Sequence, residues 1–241
     1  MKTQILYEDS RVLIIYKPAG LATQTARVGQ QDVVSELKNY LKQPYLGVIH
    51  RLDQPVEGLL IFAKEKKTAA QLTSQLASGT LNKQYYAVVC GKPDAIEAEL
   101  VDYLGKDSVT GNAFVMKTDG TQNKKGSAES AKKAVLRYRV LETTQISTGE
   151  RISLLDVHIA TGRFHQIRVQ LANAGFPLLG DARYGTEDSA RLSRLLGVNN
   201  VALCAYQIAL QNVAGGKALT RMIVPEGRIF RELFRYKYPE Q

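Results

Sequence analysis

Residues 47–64 read GVIHRLDQPVEGLLIFAK, and the fold class turns on how they are divided. The second half, Gly58 to Lys64, is a short apolar run behind a glycine and a proline, which marks a strand rather than a helix. A second apolar run precedes it. Between the two lies a polar turn that carries His50, Arg51 and Asp53 within four residues. Function concentrates on such loops because rigid strands hold them in place. One acid here sits beside two side chains that are cationic or can become so.

Outward from this stretch, residues 11–21 (RVLIIYKPAGL) form a strand that ends in a Pro-Ala-Gly turn. Proline presets the turn and glycine permits positive φ. Asp32 is placed to cap a helix whose apolar residues Val33, Val34, Leu37, Tyr40 and Leu41 recur at helical spacing and stop before Pro44. A helix over Thr68–Leu76 is closed by Ser78-Gly79, and QYYAVVCG (84–91) is a strand. Strands follow near 134–141 and 152–160. Next come helices from Phe164 to Ala174 and from Glu187 to Leu196, each closed by a glycine. VALCAYQIAL (201–210) is strand-like, and the tail RIFRELFRYKY puts Ile229, Phe230, Leu233 and Phe234 on one face with Arg228, Arg231 and Arg235 outside.

Strands and helices alternate without a βαβ rhythm. That predicts an α+β fold with a mixed, largely antiparallel central sheet flanked by helices and loops, enclosing a catalytic cleft. There is no internal repeat and no clear linker, so residues 1–241 read as a single domain. The stretch 104–133 is polar and poor in aliphatic residues. It reads as extended strands and loops with Lys124, Lys125, Lys132 and Lys133 exposed, either solvated or touching a polyanion.

Thirty-two basic against 23 acidic side chains leave a formal net charge of +9. That balance favours a polyanionic partner, nucleic acid first, because lysine and arginine displace the counterions condensed on phosphates. Cys90 and Cys204 each sit in an apolar run and read as buried thiols in a reducing compartment. No Cys/His spacing suits a metal, so no metal site is expected. No apolar run approaches the roughly 18 residues of a membrane helix, and the N-terminus lacks a signal-peptide core. A cytoplasmic protein with no membrane partner is the expectation, a monomer by default.

A carboxylate used inside a cleft must resist the rise in pKa that desolvation causes, and a nearby arginine opposes that rise. Arg51 lies two residues from Asp53, and GRFHQIR (162–168) brings a second basic cluster with Arg163, His165, Gln166 and Arg168. Arg168 falls in the first turns of the predicted helix, where the amino end adds partial positive charge. Taken alone, HRLD reads first as a structural ion pair at a turn, and Tyr85 as a half-buried strand tyrosine.

Four blocks stand in order: VLIIYKPAGL, HRLD followed by a glycine and an apolar strand, Lys83-Gln84-Tyr85-Tyr86-Ala87-Val88-Val89, and GRFHQIRVQLANAGFPLLGDARYG. Together they resemble the RluA-type pseudouridine synthases over roughly residues 5–230. The resemblance implies isomerisation of uridine in ribosomal or transfer RNA, with no cofactor and no metal. It makes Asp53 the catalytic acid, Arg168 the arginine that pairs with it, and Tyr85 the tyrosine that stacks on the target base. Arg51 and His50 match positions that enter the RNA helix, and Arg163, His165 and Gln166 flank Arg168 as RNA-binding candidates. It also implies a catalytic domain without the small N-terminal RNA-binding domain of many relatives.

The chain departs from that pattern in places. Val56-Glu57 stands where relatives usually carry Thr-Ser, which sets a second carboxylate four residues from Asp53. Phe164 replaces a common threonine and Gln170 a common histidine. Phe164, Ile167 and Leu171 read as helix core. If Glu57 faces the site, it raises the pKa of the acid and repels phosphate. Two other readings follow from it: a non-catalytic RNA-binding or RNA-folding protein on the same fold, and a glycosidase built on an Asp53–Glu57 pair.

Overall fold

The computed structural model describes residues 1–25, 27, 29–116, 131–211 and 217–239. In chain order the first elements are β1 (Gln4–Glu8), β2 (Val12–Lys17), α1 (Val33–Leu41), β3 (Gly47–Val48), β4 (Glu57–Ala63), α2 (Lys66–Ser78) and β5 (Asn82–Cys90). Then follow β6 (Glu97–Lys106), β7 (Ala113–Val115), β8 (Lys132–Gln145), β9 (Arg151–Ile159), α3 (Gln166–Asn173) and α4 (Glu187–Leu195). The last are β10 (Leu203–Leu210), β11 (Leu219–Met222) and α5 (Arg228–Glu232). They fall into two compact units. One holds Met1–Tyr85, Leu203–Gly227 and Lys237–Gln241, the other Tyr86–Ala202 and Arg228–Tyr236.

In the first unit β2 pairs antiparallel with β1 and with β4, and β3 pairs antiparallel with β4. β4 runs parallel to β10, with Glu57 opposite Cys204 and Gly58 opposite Ala205, and β10 pairs antiparallel with β11. Every residue of β2 and β4 is buried. This is why their sequences are continuous apolar runs rather than alternating ones. Gly58 has φ +129°, and a Cβ there would lie 2.5 Å from the backbone N and O of Ala205. The parallel strand can approach only because that side chain is missing.

Asp32 caps α1 as expected: its Oδ1 accepts the Ser35 amide at 2.7 Å while Oδ2 accepts that of Thr25 at 2.9 Å. Val33, Val34 and Leu37 are buried, whereas Tyr40 faces solvent.

In the second unit β8 pairs antiparallel with β6 and β9, and β6 with β7. The class is α+β, with antiparallel pairing dominant and the β4–β10 pair making it mixed. β6 escaped the sequence reading because its exposed positions alternate through Glu97, Glu99, Val101 and Tyr103, which masks its apolar side. β8 likewise begins at Lys132, earlier than expected. Lys132 and Lys133 are exposed, while Lys124 and Lys125 lie outside the described residues. Of the thiols, Cys204 is buried and Cys90 partly so, both free. No helix among the described residues is long and apolar enough to cross a membrane.

Candidate active site

Asp53 sits on the loop from β3 to β4, and the residues on either side of it are pinned to the loop after β2. Thr23 Oγ1 accepts the Leu52 amide at 3.2 Å and donates to the Leu52 carbonyl at 2.9 Å. Gln54 accepts the Gly20 amide at 2.8 Å through its carbonyl and donates its own side-chain amide to the Gly20 carbonyl at 3.1 Å. The Val56 amide closes a turn onto the Asp53 carbonyl at 3.0 Å. Asp53 is half-buried between these anchors. Fixing both neighbours cuts the conformational freedom the carboxylate would otherwise lose on engaging a substrate.

Arg51 projects outward from the same loop, its Nη2 bonded to Gln24 Oε1 at 3.0 Å. His50 turns the other way and is 7% exposed. Neither of its ring nitrogens has a hydrogen-bond partner among the described residues. Burial, with the nearby positive Lys83, holds this imidazole well below its usual pKa, so it is neutral at pH 7. Tyr85, at the end of the first unit's share of β5, is 5% exposed.

Behind the loop lies a buried polar group. Lys17 ends β2 with no exposed surface, and its Nζ donates to the carbonyls of Leu21 at 2.7 Å, Pro18 at 3.1 Å and Gln54 at 3.2 Å. Burial pushes its ammonium down to about 7, against the pull of the negative charges on Asp53 and Glu57. Glu57 is 4% exposed. Its Oε2 accepts the Tyr16 hydroxyl at 2.5 Å and the Glu226 amide at 3.1 Å, and its Oε1 accepts the Gly227 amide at 3.1 Å. Burial and this carboxylate raise the Tyr16 phenol far above its ordinary value. Glu57 is therefore neither a surface charge nor a second catalytic carboxyl. It joins β4 to the segment after β11.

In the second unit Arg168 is buried on α3, and its guanidinium meets Asp181 in a fork: Nε to Oδ2 at 2.8 Å and Nη2 to Oδ1 at 2.7 Å. Burial works against ionisation of Asp181, but the hydrogen bonds and charge of Arg168, with the Arg183 and Tyr184 amides, hold its carboxyl below the usual range. Gln166 is spent inside the unit, donating to the Val135 carbonyl at 3.0 Å and accepting Thr161 Oγ1 at 2.8 Å and the Arg163 amide at 3.0 Å. Arg163 is exposed, with its Nε on the Lys133 carbonyl at 3.0 Å. His165 has φ 52° and places Nδ1 2.7 Å from the Tyr184 hydroxyl.

Of the three residues expected in the helix core, Ile167 and Leu171 are buried, but Phe164 is 44% exposed. It precedes α3, which starts at Gln166, so the helical periodicity assumed for it does not apply. Gln170 is buried, donating to Asp102 Oδ2 at 2.7 Å.

Sequence reasoning passed over Lys17, Thr23 and Asp181. Lys17 had a signal, being a lysine that closes an otherwise apolar strand. Asp181 had none beyond its place in LLGDARYG. Among the described residues no group of three or more His, Cys, Asp or Glu side chains is placed to hold a metal ion.

Residues 11–173 match the family model described as RNA pseudouridylate synthase. The chain is 33% identical over 202 residues to the Bacillus subtilis protein named uncharacterized RNA pseudouridine synthase YhcT, covering 82% of this chain and 62% of that one. It is 33% identical over 223 residues to the Nitrosomonas europaea ribosomal large subunit pseudouridine synthase D, covering 90% and 60%. The chain thus spans about three fifths of the length of these relatives. Human RNA pseudouridylate synthase domain containing 4 shares the fold, with a TM-score of 0.75 at 22% identity over 95% of this chain and 90% of that one. With the family model matched from the strand β2 through to α3, the chain belongs to the RNA pseudouridylate synthase family.

Proposed function

We propose that this protein isomerises uridine to pseudouridine in ribosomal or transfer RNA. The observation that carries the reading is the anchored Asp53 loop, lying within the residues that match the family. In the reaction the bond from uracil nitrogen to ribose breaks, the base rotates, its carbon 5 bonds to the ribose and gives up its proton, and the freed nitrogen takes up a proton, so that the product is an isomer of the substrate. No cofactor or metal is called for. Asp53 is the acid that acts on the target nucleotide, and Arg168 is its counter-charge, as the family motifs imply. Tyr85 supplies a ring and a hydroxyl for the extruded base.

A target uridine within a stem must leave the stack first, at a cost of a few kcal/mol. Arg51, exposed beside Asp53, is the side chain that fills the gap. Arg163 and His165 support RNA contact. His50 and Gln166 support it from within, since both are buried. Several relatives carry names for the large ribosomal subunit, which favours ribosomal over transfer RNA. We take the protein to work as a monomer in the cytoplasm.

The test is release of label from carbon 5 of uracil when the protein meets total ribosomal and transfer RNA. Wild type should release label, and Asp53→Asn should not. No release by folded wild type rejects the reading. The alternative of a non-catalytic RNA-binding protein drew on Glu57 beside the acid, and the burial of Glu57 under Tyr16 and the 226–227 amides removes that motive.

A further inference from the structure

The second unit exposes one aromatic ring in a setting that its apolar character does not explain. Phe164 keeps 44% of its surface open to solvent. Its ring lies face to face on the His165 imidazole, with centroids 3.7 Å apart and planes at 22°. Neighbours on an extended chain point to opposite sides; here the left-handed backbone of His165, φ 52°, accompanies their stacking.

His165 is itself held. Its Nδ1 meets the Tyr184 hydroxyl at 2.7 Å, and that hydroxyl also accepts the Ala113 amide at 2.9 Å. Tyr184 in turn lies under the Arg168 guanidinium, 5.1 Å from its ring. The Phe164 plane is therefore set by a chain of contacts that reaches back to a buried arginine.

Two cations flank it. Lys106, exposed at the end of β6, holds Nζ 4.8 Å from the Phe164 ring centroid. Arg163, next in sequence, is exposed and steadied by the Lys133 carbonyl. Asp107, which follows Lys106, accepts the Val109 and Thr110 amides at 2.7 and 3.1 Å. A part-exposed aromatic ring with a lysine over it and an arginine next to it in sequence suits a polyanion that offers a flat ring. A protein partner would gain less from a single ring bordered by lysine and arginine.

We propose that Phe164 is a stacking platform for an unpaired base of the RNA, with Lys106 and Arg163 meeting the phosphates beside it. Lys106 covers the ring in the free protein and gives way to the base, exchanging a cation–π contact for a phosphate. The inference rests on the reading that this protein acts on RNA, and it adds a contact that the family motifs do not supply, since threonine is common at this position.

The test uses the chain of residues 1–241 and a short oligouridylate carrying one 2-aminopurine, whose fluorescence is quenched when it stacks. Wild type should bind and quench. Phe164→Ala and Phe164→Leu should each weaken binding about tenfold or more and lose the quenching, while Phe164→Tyr keeps both. Lys106→Ala should lower the slope of log affinity against log salt by about one. Circular dichroism confirms that each variant is folded, which an exposed site permits.

Equal affinity and quenching in Phe164→Ala overturns the proposal, and so does a wild type that binds the oligomer without quenching it. Label release from carbon 5, followed in parallel, keeps the two readings apart. Release without Phe164-dependent quenching leaves the synthase standing and rejects the platform. Quenching without release does the reverse.

Discussion

Glu57 accepts the Tyr16 hydroxyl at 2.5 Å, joining two adjacent strands through a buried side-chain bond. The same carboxylate receives two backbone amides from a turn that lies far along the chain. A side chain that accepts from three donors in a buried site holds those segments together, and its replacement leaves some of the donors poorly matched. Glu57→Gln should lower stability by about 1–3 kcal/mol in urea denaturation, with Tyr16→Phe costing about 1 kcal/mol. The double variant should fall short of the sum, because the pair shares one bond. Label release per folded molecule should change little for Glu57→Gln. An increase in release would mean that Glu57 acts on Asp53 after all.

His50 sets a pH dependence. Its pKa is held below the ordinary 6.5 in the folded protein, so below pH 6.5 the unfolded chain binds a proton that the folded one refuses. Stability therefore falls as pH drops through that range. Between pH 7.5 and 5.5 wild type should lose about 1.4 kcal/mol more than His50→Leu does. His158 and His165 are present in both proteins and cancel in the comparison. Parallel stability curves would show that His50 takes up its proton while folded.

The Arg168–Asp181 fork is almost wholly inside the second unit, with side chains 6% and 1% exposed. Removing Asp181 takes two charge-assisted hydrogen bonds from a buried guanidinium. Asp181→Ala should cost about 3–5 kcal/mol by thermal or urea unfolding. Asp181→Asn keeps the size and part of the hydrogen bonding and should cost less. If Arg168 serves catalysis as proposed, Asp181→Asn should lower kcat more than it raises KM. A change in KM alone would speak for a binding role instead.

Gly58 and Gly20 both have positive φ, but only Gly58 faces a backbone at 2.5 Å; nothing lies within 4 Å of a Cβ at Gly20. Gly58→Ala should destabilise by more than about 3 kcal/mol or abolish soluble expression, since β10 must move to admit the methyl. Gly20→Ala should cost only the strain of its backbone, about 1 kcal/mol. Chemical denaturation of the two variants side by side checks the difference, and similar losses would discount the close approach of β10.

Much of the fold was legible because the forces that make it are local. The Asp32 cap is decided by a hydrogen bond to a residue three positions on. The burial of β2 and β4 follows from unbroken apolar runs, and the α+β class from their order. The HRLD loop stood out only with its flanks, because a charged turn taken alone reads as a structural ion pair and the four ordered blocks supply the resemblance. β6 was not, since alternate charged and aromatic positions on its outer side look like a loop when the sheet partner is unknown.

The partners of the charged residues lay beyond any local reading. Glu57 meets amides 169 and 170 residues away, and its sequence neighbourhood suggested instead that it faces Asp53 or solvent. Arg168 holds a carboxylate on the far side of a loop, and nothing about the spacing distinguishes Asp181 from other acids. Phe164 looked like core because helical periodicity was extended two residues too far, and only the start of α3 at Gln166 frees its ring. The sequence by itself determined the buried strands β2 and β4, the Asp32-capped helix and the loop that carries Asp53, since neighbouring residues decide those within a few bonds. Tertiary structure alone decided which charges are buried and against what, because desolvation and pairing depend on chain segments that come together only when the sheets form.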